Sequence, residues 1–195
     1  MFKWKERMSI LVACDGSSLK KPNGEMRGAI GWAWAREDGH WQSHGWFEGT
    51  NQIAELHGIR SVLLFHKNVD ITIQMDSQYA LNVTEKWAKG WARKNWVKSD
   101  GKPVLNKPII AEILQLMEER TAPVKFQWVK GHRKDNKYPL NTEADKRAGD
   151  ASALAKINAK DMASSLLLYK DSKNRTSMPQ EELMLRRIYS QDFPE

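Results

Sequence analysis

Apolar positions along this chain change period several times. Ile10-Leu11-Val12-Ala13-Cys14 is a continuous apolar run, which predicts a buried strand over residues 8–15. Gly24 to Arg27 reads as a turn, and 28–36 alternates as a second strand. Asp38-Gly39 is a hairpin signal, and 40–48 follows as a third strand. From Asn51 the pattern becomes helical, with Ile53, Leu56, Ile59, Val62, Leu63 and Leu64 on a face of period near 3.6. Residues 69–75 predict a fourth strand. Ser77 can cap a helix that runs towards Trp87. Residues 98–103 read as a loop, 108–120 as a helix and 124–129 as a fifth strand. Asn141 or Thr142 opens a last helix that continues through Ala155.

Strands first, then strands alternating with helices, predict an α/β fold: a mixed five-stranded sheet flanked by helices. The chain has 195 residues, enough for one domain and an appendage. The boundary falls near residue 158. Beyond it, 159–195 form a C-terminal extension of different character. Ser164-Ser-Leu-Leu-Leu-Tyr is apolar but short, Asp171-Ser-Lys-Asn-Arg-Thr-Ser is polar, and 181–189 after Pro179 can form a helix. This extension is expected to pack on the domain, with a partner-docking segment or a flexible tail as the alternatives. No internal repeat or low-complexity tract breaks the chain.

Charge adds a partner class. The net charge is +7 and the pI about 9.4. Residues 86–107 hold Lys86, Lys89, Arg93, Lys94, Lys98, Lys102 and Lys107 against Asp100 alone, so nearly the whole excess lies in one segment. Trp87, Trp91 and Trp96 interleave with these cations. Cations that neutralise phosphates beside aromatic rings that stack or touch sugars make a nucleic-acid surface. The competing reading is a solvated helix whose tryptophans pack inward, and both are expected in part. The single cysteine, Cys14, rules out an intramolecular disulfide framework and fits a reducing compartment. No apolar run reaches the roughly 20 residues that span a bilayer, and residues 1–7 lack a signal core. The expectation is a cytoplasmic or nucleoid-associated monomer with no membrane contact.

The candidate chemistry lies in four acidic residues. Asp15 ends the first apolar run, and Asp76 ends Ile71-Thr-Ile-Gln-Met. Both are therefore at carboxyl ends of predicted strands, where ligands bind in open α/β sheets. Glu55 and Asp145 lie on predicted helices. Brought together, the four would form a dense anionic cluster, which suits hard cations with oxygen ligands. Without a cation, like charges would raise one another's pKa.

Cys14-Asp-Gly-Ser, Thr50-Asn-Gln-Ile-Ala-Glu, Met75-Asp-Ser-Gln-Tyr, Val129-Lys-Gly-His132 and Glu143-Ala-Asp145 together resemble the type 1 ribonuclease H family. Order and spacing match from about Ser9 to Ala155. The resemblance implies the ribonuclease H-like fold and hydrolysis of the RNA strand of RNA–DNA hybrids. It implies two Mg2+ ions, with Mn2+ able to substitute, and products with 5′-phosphate and 3′-hydroxyl ends. Asp15, Glu55, Asp76 and Asp145 would be the metal ligands. Asp15 bridges in this reading, with Glu55 and Asp76 on the leaving-group side and Asp145 on the water side. His132 would assist proton transfer or product release, while His40, His44, His57 and His66 match no motif. Glu143 is expected on the helix surface.

The resemblance also assigns substrate contacts. Asn51, Gln52 and Gln78 would face the RNA minor groove, Tyr79, Trp87 and Trp91 the DNA strand, and Thr50 and Asn106 a DNA phosphate. Lys89, Arg93 and Lys94 would supply charge. Asn51 could also cap its helix, and both roles can coexist. The chain departs from the family in its lysine-bearing first loop, Ser17-Ser-Leu-Lys-Lys-Pro-Asn, and in the long charged loop between His132 and Asn141. It departs again at Glu48, where some members carry a basic phosphate ligand. The rival readings are a catalytically silent hybrid-binding protein and another nuclease of the same superfold. The complete acidic tetrad opposes the first. The basic insert and Thr50-Asn-Gln oppose the second.

Overall fold

The computed structural model describes residues 9–20, 24, 27–131, 135–158 and 168–173. Strands β1 (Ile10–Ser18), β2 (Gly28–Arg36) and β3 (Trp41–Gly49) form an antiparallel meander. Helix α1 (Asn51–Phe65) crosses to β4 (Ile71–Met75), which pairs parallel with β1. Next come α2 (Gln78–Asn82), a π-helical turn over Val83–Trp87, and α3 (Ala88–Arg93). Helix α4 (Lys107–Glu118) leads to β5 (Val124–Trp128), parallel to β4, and α5 (Pro139–Asn158) closes the domain. The sheet order is β5-β4-β1-β2-β3-β6.

The sixth strand, β6 (Leu168–Asp171), is the main departure from the five expected. It comes from the extension and pairs antiparallel with β3, from Gln42–Asp171 to Gly45–Leu168. Its four residues are too short to announce themselves by alternation. Part of the expected tail therefore belongs to the sheet. The expected terminal helix over 181–189 lies outside the described residues. No helix among the described residues is long and apolar enough to cross a membrane.

Side-chain size separates the two faces of the meander. Ile30, Trp32 and Trp34 of β2 are buried, and Trp34 joins Leu56, Ile59, Val62, Leu63, Ile73, Ile110 and Ile113 in the main core. His44 and His57 both stack on Trp32, at 5.4 and 4.5 Å between ring centroids. His66 meets Trp34 edge-on at 5.0 Å. These three histidines are thus aromatic packing residues.

The other face is small. A Cβ on Gly31 would stand 2.2 Å from the Ala148 carbonyl oxygen, so only glycine permits α5 to press against β2. Ala144, Ala148, Ala151, Ser152 and Ala155 are buried on α5. Arg147 lies over the Trp41 ring at 3.8 Å and ties α5 to β3. Glu143 pairs with Arg147 at 2.8 Å, consistent with its expected place on the helix surface rather than among ligands.

Candidate active site

The site follows from strand register. Ala13 of β1 pairs with Gln74 of the parallel strand β4. Asp15 and Asp76 each lie two residues further on, so they come abreast. Asp76 follows the carboxyl end of β4, whereas β1 runs past the expected end at residue 15 to Ser18, because Asp15 to Ser18 still pair with β2. Glu55 enters from the first turns of α1, which is capped by the Thr50 hydroxyl accepting from the Ile53 N–H at 3.3 Å. The cap is Thr50, not Asn51. Asn51 is instead free to donate from Nδ2 to Glu55 Oε1 at 3.3 Å.

Asp15, Glu55 and Asp76 each offer an oxygen, and these oxygens lie within 4.8 Å of one another. Asp15 and Glu55 are buried, and Asp76 is half-buried. Asp145, half-buried on α5, stands outside this mutual set, but its charge raises the pKa of both Asp15 and Glu55. Burial is the largest influence on Asp15, followed by Glu55, Asp76 and Asp145; the Gly16 N–H at 2.7 Å opposes them, and the pKa is pushed up to about 9. Burial and then Asp76 lift Glu55 to about 8. The Cys14 thiol behind them is also pushed up, by burial first and then by Glu55, Asp15 and Asp76. Three carboxylates forced together in a half-dry site are unstable when all are ionised. A divalent cation with oxygen ligands removes that repulsion, so this donor set fits Mg2+ or Mn2+.

The flanking surface is also assembled. Gln52 and Gln78 are exposed at the starts of α1 and α2, with Asn51 beside the former. The Asn106 amide donates to the Tyr79 hydroxyl at 3.4 Å, and Asn106 itself adopts a left-handed conformation, φ 60°, before α4. Tyr79, Trp87 and Trp91 form a chain of rings with centroid separations of 6.3 and 5.5 Å. Trp91 and Trp96 pack against the core, whereas Trp87 is exposed. Lys86, Lys89, Arg93 and Lys94 are exposed around them. The tryptophans therefore divide between packing and surface, as both sequence readings require.

The insert is not one continuous helix. Thr84 bonds back to the carbonyls of Ala80 and Leu81, at 3.1 and 3.0 Å, inside the π-helical turn. At the departure noted for Glu48, Arg27 Nε lies 3.4 Å from its carboxylate and brings a cation to that edge. Gly131 closes the described part of the Lys-Gly-His loop, and His132 lies outside the described residues.

Sequence reading took Asn141 only as a helix opener. The helix begins earlier, at Pro139, and leaves the Asn141 side chain beside Asp76. One signal was available: Asn141 and Asp145 are four residues apart, so a helix puts them on one face.

With this geometry in place, the comparisons decide the family. A profile described as RNase H matches residues 7–153. The chain belongs to the RNase H family. A Ribonuclease H of Tropheryma whipplei (strain Twist) is 43% identical over 145 residues, covering 73% of this chain and 84% of that protein. A Ribonuclease HI of Streptomyces coelicolor is 34% identical over 154 residues, covering 76% of this chain and 63% of that one. Among solved structures, LC9-RNase H1, a type 1 RNase H with the type 2 active-site motif, superposes with a TM-score of 0.62 at 20% identity. That match covers 96% of this chain and 90% of the other. The PFV RNase H domain superposes with a TM-score of 0.58 at 21% identity, covering 75% and 95%. These structures share the fold. The chain is thus an RNase HI-like enzyme, a hydrolase of the RNA strand in RNA–DNA hybrids, from a metal-dependent family.

Proposed function

We propose that this RNase H is an endonuclease that uses two Mg2+ ions, replaceable by Mn2+, and leaves 5′-phosphate and 3′-hydroxyl ends. The observation that carries this reading is the convergence of Asp15 on β1, Glu55 on α1 and Asp76 just after β4, with ligand oxygens within 4.8 Å of one another. Asp145 is the fourth ligand. Two bound cations would activate water and offset charge at the phosphorus and the leaving oxygen. The protein's own part is to hold the carboxylates on two adjacent strands and two helices, so that little reorganises during reaction.

Asn51, Gln52 and Gln78 read the RNA strand at its minor groove, where 2′-hydroxyls distinguish RNA from DNA. Tyr79, Trp87 and Trp91 form the floor under the DNA strand, with Lys89, Arg93 and Lys94 neutralising phosphates. Thr50 and Asn106 hold a DNA phosphate. His132 moves a proton or speeds product release. The protein acts as a monomer. A solved foamy viral protease–reverse transcriptase in complex with RNA/DNA hybrid shares this fold, with a TM-score of 0.63 at 16% identity over 76% of this chain and 20% of that one.

The test uses labelled RNA–DNA hybrid, double-stranded RNA and double-stranded DNA, each with Mg2+, Mn2+ or EDTA. Cleavage confined to the RNA strand of the hybrid, and lost in EDTA, is the expected result. Cleavage of double-stranded DNA at a similar rate, or undiminished cleavage in EDTA, would overturn the reading.

A further inference from the structure

Asp76 is held from three sides by groups outside the acidic cluster. The Trp128 indole N–H donates to its main-chain carbonyl at 3.0 Å. The Val129 N–H donates to the preceding carbonyl, of Met75, at 2.9 Å. On the side-chain oxygen Oδ2, two residues converge. A Cβ on Gly131 would stand 1.7 Å from that atom. Asn141 Nδ2 lies 3.5 Å from it, and Asn141 is only 3% exposed.

Asn141 is costly where it sits. Its Oδ1 is buried and has no hydrogen-bond partner among the described residues. A buried polar atom without a partner works against folding. An apolar residue of the same size would avoid that cost, so packing alone does not account for an amide here. Its Nδ2 can only donate, and the atom it faces is a carboxyl oxygen, an acceptor. At 3.5 Å the contact lies at the outer limit of a hydrogen bond.

We infer that Asn141 is a positioning residue that holds the Asp76 carboxylate, through Oδ2, in the orientation needed to ligate a divalent cation. It acts together with Gly131, which leaves the space that this orientation occupies. Asn141 also lies one helical turn before Asp145, so α5 supports two of the four ligands from one face. The inference rests on the reading of Asp76 as a metal ligand.

The experiment compares wild type, Asn141→Leu and Asn141→Ser. Leucine keeps the volume and removes the donor, whereas serine keeps a hydroxyl too short to reach Asp76. Mn2+ affinity is measured by calorimetry on each protein without hybrid, and Tm is measured in EDTA. The expected result is Mn2+ binding at least fivefold weaker in both variants, with Asn141→Leu melting at or above the wild-type temperature. A merely structural asparagine predicts the reverse: a lower Tm and unchanged Mn2+ affinity. Unchanged affinity in either folded variant would overturn the inference. Should Asn141→Leu not fold, the serine variant alone decides. If wild type binds Mn2+ but does not cleave hybrid, the proposed function fails while the comparison of affinities still stands.

Discussion

Arg60 and Glu112 form an ion pair between α1 and α4, with Nε and Oε2 2.6 Å apart and the side chains only 6% and 5% exposed. Arg60 lies five residues beyond Glu55, so this pair anchors the helix that carries a ligand. Removing one partner leaves the other charged in the core. Glu112→Ala is expected to lower stability by about 3–5 kcal/mol, whereas Arg60→Leu with Glu112→Leu together should cost far less. Urea denaturation checks this. Equal losses in the single and double variants would mean that the pair is not the source of the effect.

The crowded carboxylates link stability to pH and metal. In the folded state, without a cation, Asp15 is pushed up to about 9 and Glu55 to about 8, well above ordinary carboxyl values. The folded state therefore holds more protons than the unfolded state between about pH 4 and 9. Stability from these groups is fully present below the unfolded values and is lost as pH rises through 8 to 9. Melting in EDTA should drop between pH 5 and 9. Asp15→Asn should flatten that decline, and Mg2+ should raise Tm more at pH 8.5 than at pH 6. A Mg2+ effect independent of pH would count against the metal binding at these carboxylates.

The same residues carry the chemistry. Asp15→Asn and Asp76→Asn should each abolish hybrid cleavage while hybrid binding persists or improves, because repulsion against phosphate is reduced. Single-turnover assays and filter binding separate the two. A variant that retains more than about a tenth of the wild-type rate, a loss below about 1.4 kcal/mol, would not have lost an essential ligand.

Most of this architecture was legible because its signals are local. Apolar runs leading into Asp15 and Asp76 place both acids on or just after strands before any tertiary contact is known, although β1 continues to Ser18 because polar residues 15–18 still pair with β2. The start of α1 at Asn51 was legible, but whether Asn51 also capped it was not: Thr50 and Asn51 side chains can both accept at a helix start, and backbone geometry gives the cap to Thr50. Glu55 could be placed on a helix, yet its proximity to Asp76 depends on how α1 lies on β1. The π-helical turn escaped reading because Thr84's back-bonding interrupts the helix without a Pro or Gly. Strand β6 escaped for a different reason: its partner is β3, more than a hundred residues earlier, and four residues carry no periodicity of their own.

The basic insert is expected to supply affinity rather than chemistry. Lys89, Arg93 and Lys94 are exposed beside Trp87 and outside the acidic cluster. Neutralising them together with Lys98 should raise KM and flatten the dependence of binding on salt, since fewer counterions are released. The single-turnover rate at saturating hybrid should stay near wild type. An unchanged salt slope would move the phosphate-contacting surface elsewhere and leave the insert's tryptophans as packing residues.

The extension tests where the enzyme ends. A chain stopping at Lys160 keeps Asp15, Glu55, Asp76, His132 and Asp145 but loses β6, which covers β3 from Gln42 to Gly45. Catalysis should survive, because none of the acidic ligands lies beyond Asp145. Stability should fall by about 1–3 kcal/mol with the loss of the edge pairing and its buried residues, Asp171 among them. The bare β3 edge would also expose unpaired backbone groups that template strand pairing, so the shortened chain should aggregate at lower concentration than the full one. Hybrid cleavage measured below its melting temperature, with light scattering over a concentration series, checks both expectations. A folded, monodisperse and inactive shortened chain would show that the extension shapes the substrate channel, and that the catalytic unit runs past residue 158.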